Sequence, residues 1–299
     1  MAKYFEIVFD PNSPWDTCDF QFSVGNYNYV VYYKGSKQSS WTRLSSSQKF
    51  VMLARGPGYP YWNHSSTIGS SISFYGVGNQ NRDYSFPILR VNSPHGNYIL
   101  RGNLDALVEG GETTITDPNI PPYAFQNMFG SKTSGCLTDI SQLVFPSKTS
   151  EYCFQNMFKN TTQGVNVFKT PPDLPALNLS NNCYANMFDG CYNIKMSDTK
   201  KGAYRIPYRI PSSGTGVDNN GTLNMFVSTG GIWTGTPQVN KTYYLFDDTY
   251  VELPPLYVGV NGKAREVTDM YVGVNGRARK VTAIYVGVNG RAREVFKAT

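Results

Sequence analysis

The chain has 299 residues, of which 14% are aromatic (22 Tyr, 17 Phe, 4 Trp); it carries 28 Gly and 18 Pro, only 16% charged residues, and a net charge of +6. This composition favours short strands and turns over long helices, and the length allows about two or three domains of ordinary size. There is no run of about 18 apolar residues, so no membrane insertion is expected. The acidic Glu6 inside the first apolar patch argues against a secretory signal, which points to the cytosol of the producing cell or to an assembly formed there.

Residues 1–118 read as a first region of many short strands. In Phe5-Glu-Ile-Val-Phe9 the apolar residues alternate, and Phe20-Gln-Phe-Ser-Val24 repeats the pattern, which places one face of each strand in a core. Further strands are expected at 27–33, 49–54, 71–75, 87–91 and 98–101, separated by Gly, Pro, Asn and Ser. That alternation of strand and turn reads as a β-sandwich or small barrel. A helical turn across Leu104, Leu107 and Val108 closes the region. The loop from Gly56 to Asn63 carries Tyr59, Tyr61 and Trp62; Tyr and Trp give large contact area at low entropic cost, so these three are the candidate recognition surface.

Residues 119–198 hold a recurring phrase: Ala124-Phe-Gln-Asn-Met-Phe129, Cys153-Phe-Gln-Asn-Met-Phe158 and Cys183-Tyr-Ala-Asn-Met-Phe188, with a worn echo at Leu223-Asn-Met-Phe226. Measured between Asn127, Asn156, Asn186 and Asn224, the spacings are 29, 30 and 38 residues, in the range of a stacked solenoid. Phe154, Met157 and Phe158 lie at i, i+3 and i+4, which predicts one buried face of a short helix. Such a helix is unstable alone, so each unit must be buried by the next. Cys153 and Cys183 occupy the same repeat position, and with Cys136, Cys191 and Cys18 the chain has five cysteines without metal-ligand spacing. They read as small buried hydrophobes, so no metal or other cofactor is expected.

The stretches Trp41-Thr-Arg-Leu44, Ser47 to Gly56, Tyr98 to Gly110, Tyr123 to Phe129 and Leu174 to Tyr192 together resemble a modular arrangement of gut bacteria and their phages, in which a β domain precedes leucine-rich repeats of the BspA-like kind. The resemblance covers about residues 30–195. It implies a surface adhesion or interaction scaffold and names no catalytic residue.

Residues 199–255 read as an irregular β extension of the repeats. Arg205 to Pro211, with prolines at 207 and 211, is expected as an edge strand, and Tyr243–Phe246 with 249–253 as a hairpin about Asp247-Asp248. Residues 256–299 hold a strict 14-residue repeat beginning at Tyr257, Tyr271 and Tyr285. Each copy centres on Asn-Gly (Asn261-Gly262, Asn275-Gly276, Asn289-Gly290), the signature of a type I′ hairpin. This tail carries 8 Lys and Arg, among them Arg265, Arg279 and Arg293, against 3 acids. Nucleic acid is the weaker explanation of that charge, since the cations alternate along strands without an RNA-binding signature; solvated strand faces or an acidic partner explain it better. The repeated tail also resembles tails of structural proteins of Firmicutes phages, which implies attachment or assembly.

The expectation is therefore a mainly β chain: an N-terminal β-sandwich, a short leucine-rich-like solenoid with short helices, and C-terminal tandem β-hairpins. The function expected is that of a bacteriophage virion structural protein, an exposed fibre, spike or capsid decoration, with other virion proteins and a host surface glycan or protein as partners and a homo-oligomer, a trimer favoured. A bacterial cell-surface adhesin is the alternative, and a cell-wall or capsule glycosidase, which needs only two distant carboxylates, the weaker one. His64 and His95 lie in polar loops without a nucleophile signature, so no catalytic residue is assigned.

Overall fold

The structure is a computed structural model. It describes the chain apart from residues 1–3, 13–16, 25–28, 46, 54–69, 79–87, 109–118, 131–135, 161–166, 252–256, 261–262, 267–269, 275–276, 282, 289–290 and 298–299. Strands make up 38% of it, and among the described residues none of the sheets closes on itself, so the chain is mainly β. It divides into two units, Met1–Phe246 and Asp247–Thr299.

The first unit opens with β1 (Phe5–Phe9), β2 (Thr17–Val24), β3 (Tyr29–Gly35), β4 (Thr42–Arg43) and β5 (Ser47–Leu53). After them come β6 (Ser71–Gly78), β7 (Leu89–His95), β8 (Asn97–Asn103), α1 (Asp105–Val108) and β9 (Cys136–Val144). Six form one sheet in the order β4-β3-β6-β1-β8-β9, and three form another, β5-β2-β7. The alternation read in the sequence is the cause: Phe5, Ile7 and Phe9 are buried while Glu6 and Val8 are half-buried. Rings from the two sheets meet, Phe22 with Phe74 at 4.9 Å and Phe50 with Tyr33 at 4.6 Å. The four-residue α1 packs so closely that a Cβ on Gly76 would stand 2.0 Å from the Leu107 carbonyl oxygen, so β6 requires glycine there.

The first sheet does not end before the repeats. Strand β9, which follows the first copy of the phrase, pairs parallel to β8 and buries Leu137, Ile140 and Leu143. The first copy itself is bonded to the residues of β7 and its approach: Ile88 N–H donates to the Ala124 carbonyl at 2.9 Å and Val91 N–H to that of Met128 at 3.2 Å. One continuous core runs from Phe5 to Leu245.

The phrase is not helical, contrary to its i, i+3, i+4 spacing. Each copy is a ribbon of consecutive turns in which alternate N–H groups have different destinations. Gln126 and Met128 donate back three residues, to Tyr123 and Phe125, whereas Phe125, Asn127 and Phe129 donate to Cys153, Gln155 and Met157 of the next copy at 2.7, 3.0 and 2.9 Å. The left-handed residues decide this: Asn127, Asn156, Asn186 and Asn224 have φ between 52° and 56°, and Tyr123 and Tyr152 have φ of 62° and 56°. A left-handed residue every four positions ends any right-handed helix, and Asn tolerates it best after glycine.

The anticipated burial is nonetheless present. Phe154, Met157 and Phe158 are fully buried, and equivalent rings stack between copies: Phe129 on Phe158 (5.9 Å), Phe158 on Phe188 (5.7 Å) and Phe188 on Phe226 (5.3 Å). The worn echo is thus a full rung, with Asn186 N–H donating to Leu223 and Phe188 N–H to Met225. Strand β10 (Asn178–Leu179) lies just before the third copy, and the longer spacing after that copy accommodates β11 (Lys195–Ser197), β12 (Tyr204–Arg209) and β13 (Val217–Asp218). After the echo come β14 (Gly230–Gly231) and β15 (Thr242–Phe246). Strand β12, with Pro207, is an edge of the sheet β12-β15-β11-β14, where a missing N–H is tolerated. The expected hairpin of β15 with 249–253 does not form among the described residues: β15 pairs with β12 and β11. In the second unit, Asp247 is instead a turn residue whose carboxylate accepts from the Thr249 N–H and hydroxyl at 2.9 and 2.6 Å.

The second unit holds β16 (Tyr257–Val260) with β17 (Lys263–Glu266), β18 (Tyr271–Val274) with β19 (Arg277–Lys280), and β20 (Ala283–Val288) with β21 (Arg291–Lys297). Each pair is antiparallel and forms a two-stranded sheet of its own.

Candidate functional site

The sequence singled out two surfaces. Tyr59, Tyr61 and Trp62 lie outside the described residues. The tail residues are in part described, and their register is uniform. Val260 pairs with Lys263, Val274 with Arg277 and Val288 with Arg291, leaving two residues between strands in each copy; those pairs, Asn261-Gly262, Asn275-Gly276 and Asn289-Gly290, are outside the described residues. Tyr257, Tyr271 and Tyr285 stand opposite Glu266, Lys280 and Glu294, and Arg265, Arg279 and Arg293 stand opposite Val258, Val272 and Val286. Chosen Tyr and Arg positions therefore fall in two adjacent columns of each hairpin.

The middle hairpin shows how open this arrangement is. Tyr271 is 59% exposed and Val272 50%, although they are neighbours in the strand and belong to opposite faces. Arg277, Ala278, Arg279 and Lys280 are all exposed. Among the described residues of this ribbon both faces are exposed, and a two-stranded ribbon of this kind is marginal in water by itself.

In the first unit the cysteines of the repeat behave as buried apolar groups. Cys153, Cys183 and Cys191 are free thiols at 0% exposure. Burial pushes the Cys183 thiol up to about 12 and raises Cys153 and Cys191 as well, so all three stay protonated and unreactive at neutral pH. Among the described residues no cluster of His, Cys, Asp and Glu has the arrangement to hold a metal.

Two features escaped the sequence reading. One is a group of aromatic residues on the outer face of the six-stranded sheet: Tyr4 and Tyr75 each lie 4.7 Å from Trp41, and Tyr32 stacks on Tyr75 at 4.9 Å. Period-two alternation could have placed Tyr4, Tyr32 and Tyr75 outward, since Phe5, Val31 and Phe74 point in, but strand order was needed to bring them together. The other is a pair of adjoining hollows of about 540 and 600 Å³ beside the repeat, which share Pro175 as a wall. No sequence signal marks them, because their lining comes from five separated segments.

The chain matches no known protein family, and neither a curated protein nor a solved structure was found to be similar to it.

Proposed function

We propose that this chain is a bacteriophage virion structural protein, an exposed fibre, spike or capsid decoration, whose first unit serves adhesion and whose tail serves assembly. In this reading residues 1–118 are a β-sandwich, 119–198 a short BspA-like leucine-rich solenoid extended by 199–255, and 256–299 a set of hairpins that complete one another between copies. The observation that carries it is the contrast in burial. The body has a continuous ring-filled core from Phe5 to Leu245, whereas the tail is three separate two-stranded ribbons, the middle one open on both faces. Unpaired strand edges recruit further strands, and three similar ribbons per chain suit a homotrimer or a neighbouring virion protein. No acidic or nucleic partner is needed to explain the tail's strict repetition.

Removing residues 256–299 tests this. The expected product is a folded body that sediments as a monomer and is absent from purified particles, while the full chain oligomerises and incorporates. A truncated chain that still oligomerises and incorporates would sink the assignment of assembly to the tail.

A further inference from the structure

The outer face of the six-stranded sheet and the hollows beside it form one track, and its chemistry names a ligand class. Tyr32 and Tyr75 are register partners, with Arg43 opposite Tyr32 on the other side. Tyr4 continues the row just before β1, where its carbonyl accepts from the Asn103 N–H at 3.1 Å. The four aromatic side chains are half-buried, so they bury one another while keeping a surface toward solvent. One pleat away runs a polar row. Ser73 Oγ donates to Glu6 Oε1 at 2.9 Å, and Arg101 Nε donates to Glu6 Oε2 at 2.6 Å. Arg101 then stands in register with Gln142 of β9.

Arg101 also lines the first hollow, together with Gln142, Asp173 and Ser212, and the second hollow continues past Pro175 to Thr149, Asn178, Ser180 and Ser213. Both volumes are within the range of ordinary ligand sites. From Tyr32 to Arg101 the track crosses three inter-strand steps, about 14 Å, before it enters the trough.

We propose that this track binds an extended polysaccharide, with the Tyr4–Tyr32–Trp41–Tyr75 group as a platform for one sugar ring and the trough as its hydrogen-bonding continuation. A pyranose has a face of C–H groups that packs on an aromatic ring and a rim of hydroxyls that needs donors and acceptors. Aromatic rings beside serine, threonine, asparagine and glutamine side chains supply both. A polyanion would call for a surplus of cations through the trough, yet in the first hollow Arg101 is matched by Glu6 and stands beside Asp173, and the other cations along the track are single ones at its far ends, Arg43 opposite Tyr32 and Lys148 in the second hollow. An apolar peptide would call for an apolar groove, whereas most of the side chains around the second hollow are hydroxyls and amides. This deepens the adhesive half of the function proposed above and rests on it; it makes the sheet face a recognition surface in addition to the loop of Tyr59, Tyr61 and Trp62.

The test uses the full chain, fluorescently labelled, on an array of bacterial wall, capsule and host mucin oligosaccharides, followed by titration calorimetry with the oligosaccharide that binds most tightly. Tyr32→Ala should weaken that binding at least about tenfold. Ser213→Trp, which fills the trough from an exposed loop position, should do the same with an unchanged melting temperature, which separates loss of the site from loss of the fold. Binding of no glycan, or equal affinity in both variants and the parent, overturns the proposal, as does retention of polyphosphate or DNA in place of sugars. Particle incorporation of both variants should be normal. If glycan binding fails while the tail truncation behaves as expected, only the polysaccharide assignment falls.

Discussion

Both units of this protein are built from repeats, and the repeats do opposite things. In the first unit a phrase that recurs at irregular spacing forms a stack in which Phe, Met and Cys side chains are all removed from water. In the second a phrase that recurs every 14 residues forms ribbons that, among the described residues, do not pair with one another. The difference lies in where the backbone N–H groups go. In the stack, every second N–H of one copy crosses to the next, so neighbouring copies are joined as strands are and sit about as far apart as strands do. In the ribbons, pairing is spent within each copy, between the two arms of one hairpin. Strict repetition in sequence therefore does not predict stacking within a chain: a two-stranded ribbon still leaves every second N–H and C=O of each arm at its outer edge, and what differs is that the stack uses such groups between its own copies.

The largest test of that contrast removes one ring from the stack. Phe158 is fully buried between Phe129 and Phe188 and meets Phe168 edge-on at 5.6 Å. Phe158→Ala should cost about 3 to 5 kcal/mol, the range for emptying a large aromatic site. Arg279→Ala, at an exposed position of the tail, should change the same denaturant melt by less than about 0.5 kcal/mol. Comparable losses at the two positions would show that the tail is packed as the stack is.

A smaller effect isolates the backbone. Asn156 holds φ at 56° and sends its N–H to the Ala185 carbonyl at 3.0 Å. Asn156→Ala forces an ordinary residue into the left-handed region, for about 1 to 2 kcal/mol, while Asn156→Gly should be close to neutral because glycine enters that region freely. If alanine and glycine prove equally harmful, the loss comes from the side chain and the left-handed turn is not what holds the rung in shape.

Much of this is legible in the chain, and what is not has two causes. Period-two alternation located β1 and β2, and apolar runs bounded by Gly, Pro, Asn and Ser located β3, β5, β6, β7 and β8. Proline placed β12 at an edge, and Asn-Gly spacing fixed the register of the hairpin arms. The repeat's burial was also correct, but its conformation was not: spacing of i, i+3 and i+4 states which residues share a face and says nothing of φ. The asparagine in every copy was the available signal, since Asn is the residue that best stands in for glycine in the left-handed region. Partners distant in sequence were not legible. Strand β15 was assigned to the segment after it and pairs instead with β11 and β12, and the aromatic track depends on a sheet order that no local pattern encodes.

The last comparison lies within the stack, between the third rung and the two before it. Phe125 and Phe154 occupy the position that Tyr184 fills in the third copy, and Tyr184 stacks on Phe154 at 5.5 Å. Its ring fits the column, but its hydroxyl is buried without a hydrogen-bond partner among the described residues. Burial raises its pKa well above the usual tyrosine value, as expected for a phenol that neither water nor a donor can stabilise when ionised. A buried polar group left unsatisfied costs about 1 to 3 kcal/mol, and phenylalanine would remove that cost while keeping the ring that the other rungs use. Tyr184→Phe should therefore raise the denaturation midpoint, by about 1 kcal/mol in stability, with no change in the slope that reports exposed surface. A loss of stability would mean that the hydroxyl is satisfied in solution, by an ordered water in the column, and that the third rung is held by a contact the first two lack.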